Sequence, residues 1–320
     1  AYGNTVVFKP AELVPACAWA LAEIINRCGL PAGVFNLVMG SGREVGQTLV
    51  DHPLVNALSF TGSVSTGERI LQAATARRAK VQLEMGGKNP LVVLADADLD
   101  QAIDCALQGS YFSTGQRCTA SSRLIVEAKV HDAFVAALRG HVEKLTVGDP
   151  REAATEVGPI IHPRQVERVH GFVQRAVADG ATLLWGGAHH SFGAQYYQPT
   201  LLAGVRQDSE IVQNEVFGPV LTLQVFDSDE DAIALANGTD YGLGGVCYGE
   251  VEHASAVAQQ VRTGFIWVNS FGIRDLAAPF GGIKRSGVGR EGGDWSFEFF
   301  CDVKDVVLPK KPFRASFSHR

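Results

Sequence analysis

The 320-residue sequence has only six cysteines, at 17, 28, 105, 118, 247 and 301, and none forms a CxxC pair. That density is too low for a disulfide scaffold, and the spacing is wrong for a zinc site. Nine histidines include one adjacent pair, His189-His190, but no HExxH. The flanking Gly186, Gly187 and Gly193 mark an exposed loop, so no metal is expected there. No apolar run approaches the roughly 18 residues that a membrane-spanning helix needs. Long Lys/Arg runs are absent too, and 28 basic against 34 acidic side chains leave a net charge of −6. Such a balance carries no footprint for a nucleic-acid partner. The first residues, AYGNTVVFKP, lack the basic, apolar and small-residue regions of a signal peptide. They also lack Met and open on what reads as a strand, which predicts a missing upstream segment. A reducing, cytoplasmic setting is expected.

What is present is ample core material. Hydrophobic residues make up 46% and charged residues 19%, which excludes a disordered chain. The length suits two ordinary domains. Short apolar runs, glycine-bearing turns and helical patterns alternate: Val6-Val7-Phe8 before a pattern from Leu13 to Cys28, Val34 to Val38 before a helix reaching Val50, and Ala57 to Phe60 before a helix over 64–76. Lys80 to Glu84 follows and ends at Gly86-Gly87. This alternation predicts parallel βαβ units, an α/β fold, with a domain boundary at Gly86-Gly87. A second series begins at Pro90 and includes strands near 123–126, 220–226, 245–248 and 264–268. The tail Asp302–Leu308 alternates weakly, which suits an edge strand pairing either within the chain or with another subunit.

Two glycine motifs compete as phosphate sites. Gly287-Val288-Gly289-Arg290-Glu291-Gly292 matches GxGxxG but follows Lys284-Arg285-Ser286 rather than a strand, so it reads as a turn. Gly62-Ser63-Val64-Ser65-Thr66-Gly67 continues with Glu68-Arg69, which is not a P-loop ending. It does link a strand to a helix start, where unpaired N–H groups can meet a pyrophosphate; an ordinary Ser-capped helix is the alternative. Lys9 and Glu12 sit at the end of another strand and can meet ribose hydroxyls or cap a solvated helix.

Five cysteines lie in apolar surroundings and read as small buried hydrophobes. Cys118 differs, because Ser113-Thr114-Gly115-Gln116-Arg117-Cys118-Thr119 is a polar, glycine-bearing loop with an adjacent Arg, suited to a reactive thiolate. Glu84, at the carboxyl end of its strand, is the best candidate base; a salt bridge with Lys88 is the alternative.

Leu83-Glu84-Met85-Gly86-Gly87-Lys88, Gly115-Gln116-Arg117-Cys118, Glu215-Val216-Phe217-Gly218-Pro219 and Pro279-Phe280-Gly281-Gly282 occur in an order and spacing that resemble the aldehyde dehydrogenase superfamily. Lys9-Pro10-Ala11-Glu12 and Phe60-Thr61-Gly62-Ser63 are similar to its cofactor segments. The resemblance implies part of a Rossmann-like cofactor domain over 1–86 and an α/β catalytic domain with a parallel sheet over 87–285. Residues 286–320 would return to the cofactor domain and end in a short oligomerisation strand. It further implies NAD(P)-dependent oxidation of a small aldehyde to an acid by a homodimer or homotetramer, with neither nucleic acid nor membrane as partner. Cys118 would be the nucleophile and Glu84 the base for thioester hydrolysis. Lys9, Glu12, Thr61, Gly62, Ser63, Thr66, Gly67, Glu215 and Phe217 would hold the cofactor. Glu12 would clash with a 2′-phosphate, which favours NAD over NADP. The family's oxyanion-hole Asn would lie upstream of residue 1. Ile273-Arg274-Asp275-Leu276 resembles the hydroxymuconic-semialdehyde branch, and the 112–123 stretch is similar to α-ketoglutaric-semialdehyde dehydrogenases. Both act on aldehydes that carry a carboxylate, which Arg274 could grip; an Arg274–Asp275 surface pair is the alternative. A thiol esterase, or a catalytically silent protein of the same fold, remains the competing reading.

Overall fold

In the computed structural model, which describes residues 2–313, short strands alternate with helices. β1 (Val6–Phe8) leads to α1 (Pro15–Arg27), whose first turn carries a proline where no backbone donor is needed. β2 (Phe35–Leu37) pairs in parallel with β1, and a π-helical turn over Gly42–Gly46 runs into α2 (Gln47–Asp51). β3 (Ala57–Thr61), α3 (Val64–Ala76) and β4 (Lys80–Glu84) complete the first series. β3 and β4 are parallel, in a register that sets Thr61 beside Glu84.

β5 (Asn89–Val93), α4 (Leu99–Ser110), β6 (Ser121–Glu127) and α5 (Ala128–Val142) open a second sheet. α6 (Pro163–Ala178), β7 (Thr182–Trp185), β8 (Thr200–Ala203), α7 (Glu210–Gln213) and β9 (Val220–Phe226) extend it on one side. α8 (Asp229–Asn237), β10 (Val246–Tyr248), α9 (Val251–Ala258) and β11 (Trp267–Val268) extend it on the other. The order is β11-β10-β5-β6-β9-β8-β7, parallel throughout except for β7 against β8. β12 (Gly287–Val288) then returns antiparallel to β4, followed by α10 (Gly293–Phe300). The expected α/β fold with parallel sheets holds.

Side-chain alternation along the central strands explains the layering. Leu91, Val93, Leu124 and Val126 face one way and pack on Ile103, Phe134 and Leu138 of α4 and α5. Val92, Leu94 and Ile125 face the other way, toward Ala232, Ala254 and Val257 of α8 and α9. A strand buried on both faces reads as a continuous apolar run, which is why these segments were visible in the sequence. Removing one of these side chains, for example by Leu124→Ala, would cost about 2–5 kcal/mol.

Two expectations need correction, and one segment is not described. No strand forms over 302–308 within the chain, where Val303, Val306, Val307 and Leu308 are all exposed. Without a neighbouring strand edge among the described residues, weak alternation alone cannot supply ladder hydrogen bonds. Residues 314–320, the end of the expected oligomerisation segment, lie outside the described residues. Of the five cysteines read as buried, Cys105 and Cys247 are, whereas Cys17 and Cys28 are exposed and Cys301 is half-buried. The first two ride on or beside α1, in which only Ala18 is buried among the described residues.

Candidate active site

The β4–β5 connection carries the chain from one sheet to the other. β4 ends at Glu84, so the carboxyl edge of the small sheet presents Thr61 and Glu84 together. β5, β6 and β9 begin at Asn89, Ser121 and Val220, so the large sheet offers its amino edge, with Cys118 and Glu215–Phe217 just ahead of two of those strands. The candidate residues line the space between the two edges.

Cys118 is half-buried. It occupies the second position of a turn closed by the Ala120 N–H donating to Arg117 O (3.0 Å). Burial pushes its thiol up, as do the charges of Glu215 and Glu84, while the Thr119 and Cys118 backbone N–H groups pull it back. The neighbouring Arg117 interacts with Cys118 by charge, but its guanidinium is committed elsewhere by hydrogen bonds. Arg117 turns away, donating to Gln108 O and Gly109 O, and its guanidinium sits 5.3 Å from each of the Phe112 and Phe271 rings. These four contacts hold Arg117 in the wall of the site.

Glu84 is 6% exposed, and neither carboxylate oxygen has a hydrogen-bond partner among the described residues. Its carboxyl is raised to about 8, by burial first and then by Glu291, against the pull of Arg290, Arg274 and the Gly282 backbone. A Cβ at Gly281 would lie 2.6 Å from Glu84 Oε1, so the glycine makes room for this carboxylate. The alternative Glu84–Lys88 salt bridge does not form: Lys88 Nζ is fully buried without a partner, and its ammonium is lowered to about 7 by burial, with Arg123 lowering it further and Glu215 opposing.

The cofactor candidates fall into three groups. Glu12 Oε1 accepts the Gly42 N–H (2.6 Å) and Lys9 Nζ donates to Gly40 O (3.1 Å), so both converge on the turn after β2. Ser63 is the N-cap of α3, but its side chain does not cap the helix; it donates instead to Thr66 Oγ1 (3.1 Å). The Thr66 and Gly67 N–H groups donate to Ser63 O, so the Val64 and Ser65 N–H groups at the start of α3 are the ones open to an anion. Gly67, one turn on, faces Met85, which a Cβ there would strike. Glu215 Oε1 accepts the Gly87 N–H (3.1 Å), and its carboxylate lies so close to Gly86 that a side chain at 86 would collide with it. Phe217 follows with φ 56°, a left-handed conformation that is costly for a bulky residue.

Arg274 stands apart from the expected surface pair. Its Nη2 donates to Glu291 Oε1 (2.8 Å), and its guanidinium lies 3.9 Å over the Phe280 ring. Asp275 accepts the Ala277 N–H instead.

Several supporting residues escaped the sequence reading. From α6, Gln165 Nε2 donates to Val216 O and Phe217 O (both 3.0 Å), and Arg168 Nη2 donates to Glu215 O (3.1 Å). This holds the strained Glu215–Phe217 segment. Arg123 is fully buried and gives three hydrogen bonds, to Lys88 O, Leu235 O and Ala236 O. It ties the β4–β5 connection to the carboxyl end of α8, where a cation is favoured. The signal for α6 was a strong helical stripe, Val166, Val169, Phe172, Val173 and Ala176, behind Pro163.

Comparison with known proteins shows the family. Residues 1–306 match the aldehyde dehydrogenase family. The 2-hydroxymuconic semialdehyde dehydrogenase of Pseudomonas putida is 43% identical over 96% of the chain, and the betaine aldehyde dehydrogenase of Rhizobium johnstonii is 40% identical over 98%. In both cases the chain spans 65% of the relative's length. Among solved structures, a double mutant of the Staphylococcus aureus betaine aldehyde dehydrogenase in complex with NAD+ superposes with a TM-score of 0.95 at 36% identity, covering 98% of this chain and 64% of that one. HpcC from Thermus thermophilus superposes with a TM-score of 0.94 at 41% identity, covering 98% and 62%.

Proposed function

Because the chain belongs to the aldehyde dehydrogenase family, we propose that in the full-length protein it oxidises an aldehyde to a carboxylic acid with NAD+. One observation carries the reading: a half-buried thiol lies within electrostatic reach of a buried carboxylate whose oxygens have no hydrogen-bond partner among the described residues. The residues fit the cofactor. An uncapped α3 start suits a pyrophosphate, Glu12 suits a ribose without a 2′-phosphate, and Glu215 packs where glycines at 86 and 87 admit it. When bound, NAD+ supplies the hydride acceptor.

Cys118, as its thiolate, attacks the aldehyde carbon, and the carbonyl oxygen becomes an oxyanion facing the Cys118 backbone N–H. Loss of the hydride from that carbon leaves a thioester. Glu84, when ionised, takes a proton from water, whose oxygen then adds to the thioester carbonyl; the Cys118 thiolate leaves with the acid released. The substrate class follows from Arg274. A carboxylate on the aldehyde would compete with Glu291 for the guanidinium through two parallel hydrogen bonds, and the likeness to a semialdehyde dehydrogenase supports this reading.

Two variants test the mechanism. Cys118→Ser should abolish NADH formation while NAD+ binding persists. Glu84→Gln should give a burst of about one NADH per site and then stall at the thioester. Steady turnover by either variant would remove its residue from the mechanism. Cofactor-independent ester hydrolysis without aldehyde oxidation would favour a thiol esterase.

A further inference from the structure

Asn89 is 3% exposed and opens β5, and its carboxamide is fully used. Nδ2 donates to Cys118 O (2.8 Å) and to Ala120 O (2.9 Å), while Oδ1 accepts the Gly244 N–H (3.1 Å). The amide has one workable orientation. Turned over, it would set an oxygen against two carbonyls and an NH2 against an N–H. Gly87 allows this approach, since a Cβ there would lie 2.5 Å from Asn89 Oδ1 and 2.9 Å from Cys118 O.

The bonded carbonyl belongs to a peptide with unusual freedom. Arg117–Ala120 is a β-turn, and the Cys118–Thr119 peptide is its central unit, outside the closing Ala120-to-Arg117 hydrogen bond. Type I and type II turns differ by rotation of this central peptide. Because a trans peptide points its C=O and N–H in opposite directions, the carbonyl's direction dictates that of the Thr119 N–H. With Cys118 O drawn to Asn89, the Thr119 N–H points away from Asn89, and its pull on the Cys118 thiol favours the thiolate. The flipped turn would also force the β-branched Thr119 to positive φ, which it does not adopt. Thr119 therefore opposes a full flip, and Asn89 fixes the tilt that remains.

We propose that Asn89 is a positioning residue for the nucleophile: it holds the Cys118 carbonyl so that the Thr119 N–H is aimed at the Cys118 sulfur. This rests on the reading of Cys118 as nucleophile. The role is distinct from filling space, because it acts on the charge state of one atom. Glu84, Glu215 and Arg117 also act electrostatically on that thiol or beside it, and all three are unchanged in the test.

The test is the pH dependence of Cys118 alkylation by iodoacetamide in the full-length protein, located by peptide mapping, alongside the rate of the NADH burst. Asn89→Leu keeps the volume and removes all three hydrogen bonds. Asn89→Ser retains one at most. The alkylation midpoint should rise by roughly half to one pH unit in Asn89→Leu, with the burst about three- to tenfold slower, and by less in Asn89→Ser. NAD+ affinity should stay at the wild-type level. An unshifted midpoint in whichever variant folds would overturn the proposal, even if its melting temperature drops. Failure of the parent reading looks different: wild-type protein would show no alkylation at Cys118, or no burst.

Discussion

Glu84 makes the sharpest prediction, because its ionised form is the proposed base and its surroundings disfavour ionisation. With the carboxyl raised to about 8, about one-tenth is ionised at pH 7 and about nine-tenths at pH 9. Where deacylation limits turnover, the steady-state rate should climb roughly tenfold across that interval and then level off. An ordinary carboxylate, titrating near 4.3, would leave the rate flat over the same range. The neighbours supply a second sign. Glu291→Gln removes a negative charge that raises the carboxyl, and should move the rising limb to lower pH. Arg290→Met removes a positive charge that lowers it, and should move the limb to higher pH. Stopped-flow measurement of NADH separates the burst, which reports Cys118, from the later linear phase, which reports Glu84. A flat linear phase between pH 6.5 and 9, or limbs moving in the same direction in both variants, would refute the reasoning.

Three other predictions are simpler. Glu12→Ser removes the charge beside the turn after β2, so NADP+ should gain on NAD+ in kcat/KM; an unchanged ratio would free Glu12 of that role. Arg274→Leu should lower kcat/KM by ~10–100-fold for carboxylate-bearing aldehydes and leave uncharged ones nearly unaffected, and an equal loss for both would make the Arg274–Glu291 pair structural. Arg123→Met strips donors from three carbonyls at once, and should cost about 3 kcal/mol or more in denaturant unfolding.

Much of this was legible in the sequence, for identifiable reasons. Strands such as Leu91–Val93 and Leu124–Val126 are buried on both faces and leave continuous apolar runs, so the parallel sheet could be anticipated. Glu84 stood out as a carboxylate at the end of such a run, and Cys118 as the one cysteine in a polar, glycine-bearing loop. What stayed hidden depends on contacts between distant segments. Asn89 reads as an ordinary turn residue before Pro90 until the fold brings Cys118 and Gly244 to its amide. Arg123 looks like a solvated charge at a strand start until three carbonyls surround it. The other contacts of Arg117 were hidden for the same reason, since adjacency in sequence does not say which way a guanidinium turns. The alternative Arg274–Asp275 pair does not form, because the turn that brings Glu291 back beside Phe280 offers Arg274 another partner.

The division of labour between the sheets has a mechanical consequence. Nucleophile, anchor and the Glu215 segment all belong to the large sheet, and the base alone projects from the small one. Only Met85, Gly86, Gly87 and Lys88 join the two strand ends. A rocking of one sheet against the other would therefore lengthen or shorten the gap between Glu84 and the sulfur without loosening the turn that aims it. On the proposed reading, a cofactor that reached from α3 to Glu215 would span both halves, so its length would bear on how far Glu84 stands from the sulfur. In this architecture, occupancy and reach are one variable.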